Sequence, residues 1–303
     1  MKKIITNKFS VLIVGIVRNV ASTLFSDIGI IDRAFGDFHK VAWLIIESDS
    51  NDDTLKTLNI LKKKYELEFH SLGKLSDRFP KRTERIAFCR NEYVKIINSN
   101  VKYANVDYIA VVDLDGVNSY LNEISINNAF QICNLWDACF ANQLAPYYDI
   151  WALRHISWSP DDCWQKYKLL INNKLGRYKA RKEALYSRMK IININEKPIE
   201  VDSAFGGLGI YKKQLFENIK YIGVSENGDE VCEHVSIHYQ MRRRGAKLYI
   251  LPNLTNGGWN NHSIQLKFFG ILKIYILETI LECLILVLPK KYLLKLKRYL
   301  FYI

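Results

Sequence analysis

The sequence contains no Cys-x-x-Cys pair, no Gly-x-Gly-x-x-Gly leading from a strand into a helix, and no His-Glu-x-x-His. These absences remove the usual spacings of a zinc clip or dithiol, of a dinucleotide loop and of a zinc peptidase. The cysteines Cys89, Cys133, Cys139, Cys163, Cys232 and Cys283 are scattered, mostly in apolar surroundings. Free buried thiols in a reducing compartment are the expectation. The apolar run Val11 to Val17 is short, contains Gly15 and meets no small-residue cleavage site, so it reads as a first strand rather than a signal peptide. Ile274 to Leu288 is apolar but too short to span a bilayer, and it carries Glu278 and Glu282.

Acid is also in short supply. Against 43 Lys/Arg stand 31 Asp/Glu in 303 residues, a formal charge of +12. The excess is local. Residues 161–197 hold ten Lys/Arg and four Asp/Glu, residues 264–303 seven and two, and the remainder is nearly neutral. Two basic patches on a neutral body do not describe a nucleic-acid-binding protein, and no binding module is recognisable, so no nucleic-acid partner is expected. A hydrophobic content of 49% is that of a globular chain long enough to bury a large core.

What is present centres on Val106-Asp-Tyr-Ile-Ala-Val-Val-Asp-Leu-Asp-Gly116. Tyr108 to Val112 is a continuous apolar run of strand length, the mark of a buried central strand. Asp113 and Asp115 follow at its end and, in extended chain, point the same way. Two adjacent carboxylates repel unless a cation lies between them, and hard oxygen ligands suit Mg²⁺ or Mn²⁺ shared with a substrate phosphate. Taken alone, Asp-x-Asp-Gly reads more readily as turn chemistry, so the rest of the chain must arbitrate.

Ser10 to Val17 and Val41 to Ile46 read as further buried strands, and Leu67 to Leu72 as a weaker one. Helical patterns lie between them at 21–35, 54–65 and 82–98. Such alternation predicts an α/β fold with a parallel sheet covered on both faces, whose ligand sits at the carboxyl ends of the strands. Three polar clusters fall at three strand ends: Arg18-Asn19, Glu47-Ser48-Asp49 and Asp113-x-Asp115. Their coincidence favours a nucleotide-diphosphate site over three unrelated turns.

Beyond Asp115 a helix is expected at 125–135 and a strand at 138–143. The aromatic run Pro146-Tyr-Tyr-Asp-Ile-Trp-Ala-Leu-Arg-His155 is either a sugar- or base-stacking segment or a packed amphipathic strand. Ser159 to Lys197 reads as an insertion or lid. Gly206, Gly207 and Gly209 permit close backbone approach to a ligand, with Asp202 at the lip. His234 and His238 have zinc-ligand spacing on a helix without the rest of a zinc motif. A last strand at 247–251 is expected to close at Pro252, and the tail 289–303 has the make-up of a basic amphipathic helix at an anionic membrane surface.

Taken in order, these motifs resemble a glycosyltransferase of the GT-A type: strands ending in Arg-Asn and Glu-Ser-x-Ser, Arg-x-x-x-x-Arg-Asn before Asp-x-Asp, then Phe-Gly-Gly-x-Gly-Ile-Tyr and Cys-Glu-His. The likeness is to the fungal capsule-associated α-mannosyltransferases and their bacterial relatives, over roughly residues 10–259. It implies a Rossmann-type GT-A domain at 1–263, with an insertion near 159–200 and a C-terminal helical tail at 264–303. It also implies hexosyl transfer from a nucleotide-diphosphate sugar, GDP-mannose or a UDP-hexose, to a glycan or lipid-linked acceptor of a surface polysaccharide; the likeness suggests retention, and under inversion Glu233 would take the acceptor proton. By the same likeness Arg18, Asn19 and Glu47 would hold the nucleotide, and Arg85, Arg90 and Asn91 the diphosphate and sugar side. Asp115 would bind Mn²⁺ or Mg²⁺, joined by Asp113 (or Asp113 would reach the ribose) and by His262. Gly206, Gly207 and Asp202 would face sugar and acceptor, with Glu233 as the acidic residue near the acceptor. A cytoplasmic enzyme peripheral on the inner membrane face is the expected location. A nucleotidyltransferase is the enzymatic alternative, but Arg18-Asn19 runs into Val-Ala-Ser without the glycine-rich loop it would normally carry.

Overall fold

The computed structural model describes residues 6–260, 263–267 and 276. The apolar runs form strands β1 (Ser10–Val17), β2 (Lys40–Glu47), β3 (Leu67–Ser71) and β4 (Tyr108–Val112). These four pair in parallel, in the spatial order β3-β2-β1-β4. The sheet continues through β7 (Leu208–Lys212), β5 (Ala138–Gln143), β8 (Leu248–Gly257) and the two-residue edge strand β6 (Ile199–Glu200). β7 runs antiparallel to both β4 and β5, β8 is parallel to β5, and β6 is antiparallel to β8. The result is a mixed, mostly parallel α/β sheet.

Residue alternation divides the core. Val11 and Ile13 face α1 (Leu24–Ala34), α2 (Thr54–Leu61) and α4 (Glu123–Phe130), while Leu12 and Val14 face α3 (Arg82–Ser99) and α7 (Glu233–Arg243). Both faces of the central strands are therefore dry, which is why their sequences are continuously apolar. α4 starts at Glu123, two residues earlier than the sequence pattern suggested, capped by Asn122, whose Oδ1 accepts the N–H of Ser125 at 3.0 Å.

Two expectations fail locally. Pro252 does not end the last strand: β8 continues to Gly257 across a register shift opposite Phe140 and Asn142. The shift takes the missing N–H of proline out of the ladder, and Asn142 donates to the Pro252 carbonyl at 2.9 Å instead. Residues 146–155 are not a strand but irregular chain and turns, with an isolated bridge from Arg154 to Ser203.

The segment expected as an insertion folds into α5 (Cys163–Asn172) and α6 (Arg177–Ala184). Asp162 caps α5 through the N–H groups of Trp164 and Gln165 and also pairs with Arg154 at 2.9 Å. Cys163, Ala184, Leu185 and Ile192 lie in the same core as α3 and α7, so the segment is packed onto the body of the fold. Among the described residues no helix is long and apolar enough to cross a membrane. The tail at 289–303 lies outside the described residues.

Candidate active site

Because β1, β2 and β4 are parallel and in near register, Arg18-Asn19, Glu47 and Asp113–Asp115 emerge along one edge of the sheet. The β1 and β2 ends are braced against each other. Asn19, with φ +54°, donates its N–H to Ser50 Oγ at 3.1 Å and accepts from Asn51 N–H at 2.8 Å. Glu47 is buried, and its carboxylate accepts from Ser50 N–H at 2.9 Å and from the Ser71 hydroxyl. Arg85 donates to the carbonyls of Phe79 and Pro80 and lies 4.0 Å from Asp49. Burial pushes the Asp49 carboxyl up, but bonds from Ser76 and Ser48 and the charge of exposed Arg18 leave it below its ordinary value.

Val20 and Ala21 also donate their N–H groups to side chains, Thr54 Oγ1 at 2.9 Å and Asp52 Oδ2 at 3.1 Å. This turn therefore offers no cradle of idle amides for a triphosphate, which counts against the nucleotidyltransferase alternative.

At the β4 end a second cluster forms. Arg90, from the middle of α3, is buried, with Nε 3.1 Å from Glu233 Oε1 and a terminal nitrogen 3.7 Å from Asp113 Oδ1. Its remaining terminal nitrogen donates to Tyr93 Oη at 3.2 Å, and its face lies over Phe205 and Tyr221. Glu233 is the first residue of α7, where the helix N-terminus favours a carboxylate. Asp115 is exposed, and a third of the Asp113 side chain remains open.

Burial raises the Asp113 carboxyl most, the charge of Asp115 adds to it, Arg90 opposes it, and Asp149 and Glu233 raise it further, to about 7. One guanidinium does not balance four carboxylates, so the site as it stands is short of positive charge.

Asn91 is not part of this opening. Its amide donates to the Tyr221 carbonyl at 2.9 Å and accepts the Tyr221 N–H at 2.8 Å, fastening that segment to α3. Asp202 is mostly exposed and pairs with Arg242 Nε at 3.3 Å. Arg242 is nine residues along α7 from Glu233, about 14 Å at the helical rise, so the structure does not bring Asp202 to the Glu233 cluster.

Gly206 and Gly207 have φ of +68° and +86° and do adjoin Asp113, which donates its N–H to the Gly207 carbonyl at 2.9 Å. The space they leave is filled by the protein itself. A Cβ would lie 2.9 Å from Gln143 Nε2 at Gly206 and 2.6 Å from Val117 Cγ1 at Gly207, so tight packing requires these glycines, in place of the expected approach by a ligand.

Five residues outside the candidate set read from the sequence hold the site in shape. Asn118 donates to the carbonyls of Asp113 and Gly207 at 2.8 and 3.1 Å, and accepts from Asn256 at 2.8 Å. Asn256 and Gln143 both donate to the Gly206 carbonyl, at 2.8 and 3.0 Å. Asp27 on the buried stripe of α1 accepts the Gly116 N–H at 3.1 Å. Asp149, from the aromatic run, accepts the Gly206 N–H at 3.0 Å. A lone carboxylate on the apolar face of a helix was the one signal available, at Asp27.

His234 and His238 form no metal site. His238 is bonded at both nitrogens, to Ser203 Oγ at 2.8 Å and Tyr211 Oη at 2.9 Å, and burial with the charge of Arg90 pushes it down to about 3. His234 stacks on Phe205 at 3.8 Å. His262 lies outside the described residues. Among the described residues no three His, Cys, Asp or Glu side chains come together as a metal cage. Asp113 and Asp115 fit a different arrangement, a Mg²⁺ or Mn²⁺ ion held by one or two carboxylates and otherwise by phosphate and water.

No protein-family model and no curated protein matches this sequence. Solved structures of similar architecture exist. The crystal structure of S. aureus TarS 1–349 is 12% identical with a TM-score of 0.49, covering 89% of this chain and 65% of that one. Its complex with UDP-GlcNAc matches at 12% identity and a TM-score of 0.46, covering 89% and 66%. The mannosyltransferase PcManGT from Pyrobaculum calidifontis, in complex with GDP-Man and Mn²⁺, is 11% identical with a TM-score of 0.47, covering 97% and 70%. This chain thus spans just under two thirds of the TarS chain.

Proposed function

We propose that the chain is a glycosyltransferase that moves a hexose from a nucleotide-diphosphate donor, of the GDP-mannose or UDP-hexose class, to a glycan or lipid-linked acceptor. The observation that carries this reading is Asp113-x-Asp115 at the end of β4, in a site whose carboxylates outnumber its cations. Asp113 and Asp115 would hold Mn²⁺ or Mg²⁺, which when bound neutralises charge on a diphosphate leaving group. The ends of β1 and β2, with Arg18 exposed beside Asn19, would take the nucleotide. Arg90 fixes Glu233 with its carboxylate toward the Asp113 side, where it would orient an acceptor hydroxyl. The sequence resemblance favours retention of configuration, in which the departing phosphate oxygen takes the acceptor proton. A place at the inner membrane face, through the basic tail, belongs to the same proposal.

The test is a thermal-shift panel of GDP, UDP and CDP, each with and without Mn²⁺. The expected result is a metal-dependent rise in Tm with one nucleotide that Asp115→Ala abolishes. A flat panel would leave the strand-end clusters as turns and overturn the reading.

A further inference from the structure

A second feature stands apart from the carboxylates. Residues 155–159 form a tight turn in which Trp158 and Ser159 both donate N–H to the His155 carbonyl, at 3.2 and 3.0 Å. Its tip carries Ile156, which at 87% is the most exposed large apolar side chain among the described residues. Trp158 fastens the turn from below: its Nε1 donates to the Arg188 carbonyl at 2.6 Å, and its ring packs edge-on against Tyr147. Arg188 ties the other side, donating to Ser159 Oγ at 3.1 Å and pairing with Asp161 at 2.6 Å. The chain after Arg188 is thereby held beside the turn. Lys190 Nζ lies 5.8 Å from the Trp158 ring, and Ile191 follows, 70% exposed.

The same segment holds one of the two local charge excesses. Lys166, Lys168 and Arg188 are paired with Glu183, Asp229 and Asp161. Lys174, Lys179, Lys182 and Lys190 are exposed and have no carboxylate partner among the described residues. α6, which carries Lys179 and Lys182, packs on the turn Tyr186–Arg188 that leads into Lys190.

Aliphatic tips on a firmly pinned turn, beside lysines that have no carboxylate partner among the described residues, are complementary to an anionic bilayer surface. Ammonium groups meet the headgroups while short apolar side chains enter the acyl boundary. Single-stranded nucleic acid is met by aromatic stacking platforms, and the two exposed tips here are isoleucines. A protein partner would call for a contiguous apolar patch, and these side chains protrude singly. We infer that the rim formed by the 155–159 turn, residues 190–191 and the outer face of α6 docks the protein on an anionic lipid bilayer. The rim adjoins the site described above: Tyr147 donates its N–H to the Lys190 carbonyl at 2.8 Å, and its hydroxyl accepts from Phe205, next to Gly206.

Sedimentation of the full chain with phosphatidylcholine vesicles, with and without phosphatidylglycerol, tests this, together with hydrogen exchange on the bound protein. Binding is expected only to the anionic vesicles, with slowed exchange at 155–158 and 189–191. Lys179→Glu with Lys182→Glu and Lys190→Glu should weaken it about a hundredfold. Ile156→Ser with Ile191→Ser should weaken it about tenfold and leave the remainder more salt-sensitive. All are surface changes, and unaltered melting curves would confirm intact folds. Vesicle binding without protection of these segments, or equal binding by parent and variants, would overturn the inference. So would an isoleucine variant that binds like the parent while soluble polyphosphate displaces both, since the surface would then recognise a polyanion and no bilayer.

Discussion

Arg90 Nε lies 3.1 Å from Glu233 Oε1, and both side chains are buried between α3 and α7. The pair joins two helices separated by 143 positions in sequence. Removing one partner leaves the other charge buried without compensation, which typically costs ~3–5 kcal/mol. Arg90→Ala should lower the unfolding free energy measured in urea by that order, with a lower midpoint, and Glu233→Gln, which keeps an acceptor for the guanidinium, by clearly less. Equal midpoints for Arg90→Ala and the parent would show that the pair contributes nothing to the fold.

Asp113 gives the unliganded protein a particular pH dependence. Its carboxyl is raised from 3.8 to about 7, so the folded state holds this proton more tightly than the unfolded one. Stability from this group is complete below about pH 4 and is lost as pH rises toward 7. Asp113→Asn should therefore melt higher than the parent at pH 8, with the two curves converging at low pH. Melting temperatures of both proteins across pH 4–8 decide it, and a variant that melts lower at pH 8 would contradict the assignment.

His238 acts in the opposite sense. Its pKa falls from 6.5 to about 3 in the fold, so its contribution is present above pH 6.5 and lost as pH drops toward 3. His238→Phe should flatten the acid side of the stability profile. It should also cost ~2–4 kcal/mol at pH 7, because Ser203 and Tyr211 lose their buried partner. Chemical denaturation at pH 5 and pH 7 measures both effects.

The glycines should rank by what surrounds them. A Cβ at Gly223 would run into the backbone carbonyl of Thr83 at the start of α3, which has no room to yield. At Gly207 it would meet Val117 at 2.6 Å from a backbone with φ +86°, whereas at Gly73, with φ +65°, it would meet nothing within 4 Å. Alanine there should cost only ~1–2 kcal/mol of backbone strain. Gly223→Ala should be the most destabilised and Gly73→Ala the least, with Gly207→Ala between. If the proposed function holds, Gly207→Ala should also blunt the nucleotide-dependent thermal shift, since it moves the backbone that holds Asp113.

The parallel half of the sheet was legible in the sequence because a strand buried on both faces must be apolar along its interior, and β1, β2 and β4 are, between their end residues. Strand direction is another matter. Leu208–Lys212 has the same character whichever way it runs, and only its insertion between β4 and β5 makes it antiparallel. β8 could not be followed past Pro252 because the register shift that tolerates proline, with its extra residues on β8, shows only in the pairing with the distant strand β5. At the site, Asp113, Asp115, Arg90 and Glu233 were all candidates from sequence, and the structure brings them together. Asn118, Asn256 and Gln143 were invisible, because a buried amide holding two turns reads locally like any polar loop residue. Asp202 was misplaced for a similar reason, since its partner Arg242 lies forty positions away.

The position of β7 also governs the order in which the chain can assemble. Strands β1 to β4 are all available once residue 112 has left the ribosome, and together they form one contiguous block of the sheet. The strand that must lie against β4 begins only at Leu208. At synthesis rates of about 5–20 residues per second, the edge of β4 stays open for several seconds while α4, β5 and the basic segment are made. An exposed apolar strand edge invites pairing with other chains. A nascent chain of this protein therefore passes through an interval in which that edge is open to such pairing, and completing β7 ends it.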